Sequence, residues 1–387
     1  MSNYTLPLTP AIAETVSTPC YLYDMALLRQ TVNNALAAAA NPRFVIHYAM
    51  KANAEQPILA LMQASGLGVD TVSGGEIALA LKYGFAPEKI VFAGVGKTDA
   101  EIDVALTRGI GCLNVESLEE LEVIAQRAEA LGKVAPVALR VNPDIDAHTH
   151  HYITTGLAEN KFGIPMEKLH EALNFICSSN WLNLRGLHFH IGSQITIMEP
   201  FKILCERINS LQDHYERLGF TFPTINLGGG LGIDYDNPSL NPIPPFKEFF
   251  ETVNRYLKPH HNQEVHFELG RSLVAQCGTL LSRVLYVKEG LEKRFAIIDA
   301  GFTDLIRPAL YGAHHAIENL TSNSAEKLDY DVVGPVCESS DMFGEKISLP
   351  VTHRGDILAI RSAGAYGSVM AMTYNCRPLP SALFVNQ

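Results

Sequence analysis

A few residues in this chain have the right types, in the right order, to do chemistry together. Lys51 sits in His47-Tyr48-Ala49-Met50-Lys51-Ala52-Asn53, and Asp70 is followed closely by Ser73 and Glu76. Further on come Arg140, then His188 and His190 with Gly192 and Ser193, then the triplet Gly228-Gly229-Gly230, and last Glu268 with Gly270 and Arg271. A lysine amine can condense with a carbonyl, and an imidazole can lie on a ring. A carboxylate can hold a ring nitrogen, and glycines bring several N–H groups up to a phosphate at no steric cost. Those are the needs of pyridoxal phosphate, whose aldehyde takes a lysine, whose phosphate takes a glycine cradle and whose pyridinium takes an acidic partner. Each residue alone also has an ordinary explanation. Lys51 could be a solvated charge, the triplet a tight turn, His190 a satisfied core histidine and Glu268 half of a structural ion pair.

These residues need elements to position them. Short apolar runs predict strands at Phe44–Tyr48, Leu67–Thr71, Ile90–Phe92, Gly111–Val115, Pro136–Val141, Leu184–Ile191, Thr224–Leu227 and Val265–Leu269. Helical patterns fill the gaps between them. Asp24 is placed to cap a helix over Met25–Ala39. Ser117 with Glu120 has capping-box spacing, and Gly132 stands where that helix should stop. Eight strands alternating with helices predict an α/β fold of the (β/α)8 TIM-barrel type, with a doubly wound sheet as the alternative. In such barrels chemistry sits at the carboxyl ends of the strands, and each residue named above falls at one of those ends. After Gly270 the pattern changes to strand character at Val274–Glu289, Arg294–Asp299, Asp331–Val336 and Ile357–Ser362, which predicts a β-rich C-terminal domain. Pro19–Tyr23 is strand-like and is expected to join that sheet. The expected domains are therefore 24–268, the barrel, and 269–387, a β-rich (β-barrel-like) domain completed by 1–23.

Composition narrows the function classes. The 387 residues carry 30 basic and 41 acidic side chains, a net charge of −11, which argues against nucleic-acid partners. No apolar run is long enough to span a membrane, and no lysine or arginine precedes Arg29, so neither a membrane association nor a signal peptide is expected. Seven widely spaced cysteines with no CxxC pair suit free thiols in a reducing cytoplasm. His148, His150 and His151 look like a metal cluster, but they lack cysteine or carboxylate at ligand spacing, so no metal is expected. His260-His261 and His314-His315 read as surface pairs.

The motifs, taken in order, resemble a known family. They are His47–Asn53 (HYAMKAN), Gly68–Glu76 (GVDTVSGGE), Arg140–Pro143 (RVNP), Lys161–Ile164 (KFGI) and His188–Gln194 (HFHIGSQ). Asn226–Ile233 (NLGGGLGI), Glu268–Arg271 (ELGR), Asp299–Tyr311 (DAGFTDLIRPALY), Cys337–Asp341 (CESSD) and Ala365–Gly367 (AYG) follow. The chain resembles the diaminopimelate decarboxylases of the fold-type III, alanine-racemase-like pyridoxal-phosphate enzymes. The resemblance implies a barrel followed by a β domain, in a homodimer whose active sites lie at the subunit interface. It assigns Lys51 to the Schiff base, His190 to stacking on the ring and Glu268 to the pyridine nitrogen. Ser193, Gly229, Gly230, Gly270 and Tyr366 fall to the phosphate region, with Arg140 and Asp70 as supporting contacts. Cys337 matches a proton donor supplied by the other subunit; its alternative is an inert cysteine.

The implied reaction is decarboxylation of meso-2,6-diaminopimelate to L-lysine and CO2, the last step of lysine biosynthesis. Arg271, Arg307, Tyr311, Glu338 and Tyr366 would bind substrate, Arg271 and Tyr366 serving cofactor and substrate alike. The far end of this substrate carries an ammonium and a carboxylate, which calls for acid and arginine together. A carboxynorspermidine or other basic-amino-acid decarboxylase of the same fold is the nearest alternative, and its substrate would offer that arginine nothing. A non-catalytic relative, or a barrel enzyme using Lys51 without pyridoxal phosphate, are the more distant ones. Two departures touch loop geometry: Leu269 stands where the family usually has proline, and Ser340 where it often has glycine.

Overall fold

The computed structural model describes residues 16–143, 161–260 and 262–386. His148, His150, His151 and His261 lie outside the described residues. The described chain divides into two compact units. One holds Val32–Gly232 with Pro245–Gly270; the other holds the residues up to Thr31, Ile233–Pro244 and Arg271 onward.

The first unit is a closed barrel of eight parallel strands: β2 (Phe44–Ala49), β3 (Gly68–Thr71), β4 (Ile90–Phe92), β5 (Cys112–Val115), β6 (Ala135–Arg140), β7 (Leu182–His188), β8 (Thr224–Asn226) and β9 (Glu264–Leu269). Pairing of β2 with β9 closes it, with His47 opposite Gly68 on one side and Glu268 on the other. All eight expected strands are present, and the doubly wound alternative falls with the closure. The barrel unit's helices are α2 (Gln56–Ala64), α3 (Gly74–Lys82), α4 (Asp99–Arg108), α5 (Leu118–Leu131), α6 (Leu169–Ser178), α7 (Glu199–Arg217) and α8 (Phe246–Tyr256), while α1 (Met25–Ala38) runs across the division at Thr31.

Helix ends follow from their residues. Asp24 Oδ1 accepts from the Ala26 and Leu27 amides, so α1 begins there. Ser117 caps α5 through the Glu120 amide, and Gly132 ends it in the left-handed conformation that a side chain would strain. Ser73 and Glu76, next to Asp70 in sequence, are likewise taken up by a cap. Ser73 Oγ accepts from the Glu76 amide, and the Glu76 carboxylate accepts from the Val72 amide at 2.7 Å. Helices attach to the barrel by apolar faces: α8 buries Phe249 and Phe250, whose rings meet the Phe267 ring of β9 edge to face. Each such ring contributes about 1.5–3 kcal/mol on burial.

The second unit is mostly sheet. Its strands are β1 (Cys20–Asp24), β10 (Gly278–Glu289), β11 (Arg294–Ile298), β12 (Ile317–Asn319), β13 (Lys327–Val333), β14 (Met342–Pro350), β15 (Ile357–Ile360) and β16 (Ser381–Val385). The order is β12-β15-β10-β11-β13-β14, with β1 pairing β10 antiparallel and β16 parallel. The strand-like segment Pro19–Tyr23 thus supplies most of β1 in this sheet. The expected strand over Val274–Glu289 is shorter, because Arg271–Val274 forms a helical turn, α9, closed by the Ala275 amide on the Arg271 carbonyl. β12, β14 and β16 have no counterpart in the sequence reading. Their side chains are mostly exposed or half-buried, so the alternation that marks a one-sided strand is blurred. A second short helix, α10 (Arg307–Tyr311), completes the unit's elements used below.

Candidate active site

The barrel brings its expected residues to the carboxyl ends of its strands. Lys51 lies in a short 3-10 turn directly after β2, and its Nζ stands 3.7 Å from Asp70 Oδ2 at the end of β3. Asp70 is buried, and among the described residues neither of its carboxylate oxygens has a hydrogen-bond donor. Burial and the nearby charge of Glu268 push its carboxyl well above the ordinary range, while Lys51 opposes them. Arg140 closes β6. Its Nη1 donates to Glu116 Oε1 at 2.8 Å, and its guanidinium lies 4.6 Å over the Phe162 ring. Arg140 is therefore held by a buried carboxylate and an aromatic ring.

Glu268, at the end of β9, is the most constrained of the set. Its Oε1 accepts from Asn226 Nδ2 at 2.7 Å and from Asn114 Nδ2 at 3.2 Å, and its Oε2 accepts from His188 Nε2 at 3.0 Å. Burial alone would raise its carboxyl, but His188, then Lys51 and His190, hold it well below the ordinary carboxylate range. A carboxylate offers about four acceptor positions. Three are filled here, and the fourth, on Oε2, suits one further N–H donor or cation.

The glycine triplet follows β8. Gly228 has a φ of 67°, and a side chain there would collide with the Phe189 carbonyl and the His190 ring. At Gly229 a Cβ would run into the Glu268 carbonyl. The Gly229 amide donates to His190 Nδ1 at 3.3 Å, leaving that nitrogen unprotonated, in accord with burial, Arg140 and Lys51 lowering the His190 pKa well below normal. Gly230 has a φ of 107°, and Ser193 follows His190 on the loop after β7. Gly270 ends the unit, and a methyl group there would stand 3.1 Å from Ala49 Cβ and 3.2 Å from Ala52 Cβ, tighter than ordinary contact.

A second cluster lies within the other unit. Arg271 Nη1 donates to the Tyr235 hydroxyl at 2.7 Å, and its guanidinium lies 5.1 Å over the Tyr366 ring. Arg307 lies 5.1 Å over the Tyr235 ring, and its Nη1 donates to His315 Nε2 at 2.8 Å. Both arginines are buried. Among the described residues Arg307 makes no ion pair; its hydrogen-bonding and ring partners are neutral. Tyr311 ends α10 and is half-buried. Tyr366 holds a positive φ of 56°, a left-handed backbone uncommon for a tyrosine. Cys337 and Glu338 are exposed, and Glu338 Oε1 accepts from the Tyr374 hydroxyl at 2.8 Å.

The reading of His314-His315 as a surface pair is corrected for one member: His315 is 1% exposed and tied to Arg307. Adjacency to a second histidine disguised it. Asn114, Glu116, Asn226 and Tyr235 were not singled out in the sequence. A polar residue at an inward position of a barrel strand was the available signal for the two asparagines.

Comparison with known proteins now bears on these two clusters. Residues 26–275 match the family model described as pyridoxal-dependent decarboxylase, pyridoxal binding domain. The chain belongs to that pyridoxal-dependent decarboxylase family. It is 54% identical to a diaminopimelate decarboxylase from Bacteroides thetaiotaomicron, over 95% of each chain. It is 44% identical to one from Zymomonas mobilis, over 97% of this chain and 90% of the other. A solved structure of diaminopimelate decarboxylase from Helicobacter pylori, complexed with L-lysine, superimposes with a TM-score of 0.92 at 41% identity, covering 97% of this chain and 93% of that one.

The member described here is accordingly a carboxy-lyase that takes pyridoxal 5'-phosphate. The barrel residues fit that group on their own chemistry. The Glu268 carboxylate is kept ionised with one acceptor position to spare, the loop at Gly228–Gly230 cannot hold side chains, and Lys51 offers its amine at the same strand ends.

Proposed function

We propose that this chain decarboxylates meso-2,6-diaminopimelate to L-lysine and CO2, the last step of lysine biosynthesis. The observation that carries the substrate choice is Arg307, a buried guanidinium whose own partners are an imidazole and a phenol ring. Burying a cation among neutral groups is costly unless an anion arrives. A substrate with a second carboxylate supplies one, whereas carboxynorspermidine or ornithine would present that arginine with an amine.

Pyridoxal phosphate, when bound, supplies the aldehyde that captures an amine and the ring that draws off the electron pair left by departing CO2. Lys51 tethers it, Glu268 holds its ring nitrogen and His190 packs on its face. Ser193, Gly229, Gly230, Gly270, Arg271 and Tyr366 serve its phosphate, with Asp70 and Arg140 in support. Arg271, Arg307, Tyr311, Glu338 and Tyr366 receive the L-centre of the substrate, so that the D-centre is the one to react. Cys337 gives its Sγ proton to the carbon that lost CO2. A thiol suits this task because it is protonated at neutral pH unless its pKa is depressed.

The reading includes a homodimer in which Cys337 and Glu338 complete the partner's site. Their exposure on a single chain supports it. A cytoplasmic setting is also included, supported by seven cysteines that are all free.

Product analysis tests the substrate. Incubating the loaded enzyme with meso-diaminopimelate should yield L-lysine and CO2 in equal amounts; bound cofactor with no lysine formed would move the assignment to a diamine precursor. Subunit mixing tests the dimer. Lys51→Ala and Cys337→Ala, each nearly inactive alone, should together recover about a quarter of wild-type activity, because random exchange makes half the dimers mixed, each with one intact site. No recovery on verified subunit exchange would place both residues of a site on one chain.

A further inference from the structure

Arg307 raises a question that its assignment to substrate does not answer: what keeps a buried, long and flexible cation in one place before an anion arrives. Its neighbours answer it by elimination. A guanidinium has five N–H donors and no acceptor. At 2.8 Å from Arg307 Nη1, His315 Nε2 must therefore be the bare, accepting nitrogen of a neutral ring. The proton then sits on Nδ1, which donates to the Arg361 carbonyl at 2.8 Å. That carbonyl is itself fixed, because the Arg361 amide pairs with Ala316 and its guanidinium with Glu318. Burial, with Arg307 adding to it, pushes His315 down to about 3, so the ring stays a neutral acceptor across the working pH range.

Tyr235 does the same from another side. Its ring lies 5.1 Å from the Arg307 guanidinium and 5.1 Å, edge to face, from the His315 ring, while its hydroxyl accepts from both Arg307 and Arg271. These partners fix the guanidinium without cancelling its charge. An aspartate in either place would neutralise Arg307 and remove its use for a ligand carboxylate.

We propose that His315 and Tyr235 are positioning residues that hold Arg307 fixed yet charged, and so set the preference for substrates ending in a carboxylate. This rests on the substrate reading above and names two residues that reading does not use.

The test uses the cofactor-loaded full-length enzyme with two substrates. One is meso-diaminopimelate. The other is D-lysine, which is the same molecule without the carboxylate of the L-centre. His315→Phe keeps the ring but loses the acceptor; it should raise KM for meso-diaminopimelate about 10–100-fold with kcat within about 3-fold, and leave kcat/KM for D-lysine within about 3-fold. His315→Gln, whose Oε1 can accept, should restore most of the KM. Tyr235→Phe keeps the ring but removes the hydroxyl that accepts from both guanidiniums; it should raise KM for meso-diaminopimelate more than for D-lysine, and serves if His315→Phe does not fold.

Equal losses on both substrates, or a fall in kcat at unchanged KM, would overturn the proposal. So would a crystal structure of His315→Phe with the Arg307 guanidinium unmoved. Failure of the substrate reading looks different: the wild-type enzyme itself would leave meso-diaminopimelate untouched.

Discussion

Lys51→Ala should abolish decarboxylation, with a loss of about 10³-fold or more, and should remove the visible absorbance of the loaded protein while leaving the fold intact. The physical reasons are local. Lys51 lies in a turn after β2 with its side chain partly exposed, so truncation removes little packing. It is the cation nearest to Asp70, and its loss leaves that buried carboxyl with burial and Glu268 both raising it, so Asp70 is neutralised instead of carrying an unpaired charge. Stability should therefore change modestly while the chemistry disappears. Borohydride reduction of the wild-type protein followed by peptide mapping should find the cofactor on the peptide containing Lys51. Retention of both absorbance and activity in Lys51→Ala would falsify the assignment.

Glu268→Gln should cost about 10²–10³-fold in kcat with a smaller change in cofactor affinity. The three groups that hold this carboxylate are all donors: Asn114, Asn226 and His188. A glutamine oxygen can still accept from the two asparagines, but its NH2 then faces His188, which must shift its own proton to a buried Nδ1 that has no partner among the described residues. The negative charge that would keep a bound pyridine ring protonated goes as well. Asp70 offers a second readout. With the Glu268 charge gone, the larger of the two neighbouring charges that raise its carboxyl is removed, Glu76 being the other, and its pKa should move back toward the usual carboxylate range. The pH dependence of the loaded protein's spectrum, compared with wild type, reads both changes. A variant with unchanged kcat would show that the buried carboxylate is structural only.

The barrel was legible because its strands are short, apolar and bounded by turn residues and helix caps such as Asp24, Ser117 and Gly132. Its chemical residues were legible because the fold puts strand ends together, so Lys51, Asp70, His190 and Glu268 could be collected from distant segments. What escaped were residues that act through another side chain. Asn114 and Asn226 look like ordinary polar positions until the closed barrel aims both at one carboxylate. His315 looks like half of an exposed pair until the register of β12 against β15 sets its ring between Arg307 and a carbonyl. The second sheet escaped in part for a related reason. β14, whose side chains are mostly half-buried or exposed, carries little alternation, and β16 gains its partner among the described residues from a strand near the other end of the chain.

That last pairing has a consequence for how the protein is made. Cys20 lies opposite both Leu281 and Ser381, about 260 and 360 residues further along. At ~5–20 residues per second, β1 waits tens of seconds on the ribosome before its second neighbour has been synthesised. The barrel strands β2 to β9 are all complete well before then. Synthesis thus orders the assembly: the barrel can close first, while the strand that leaves the ribosome before all of them is among the last to find its place.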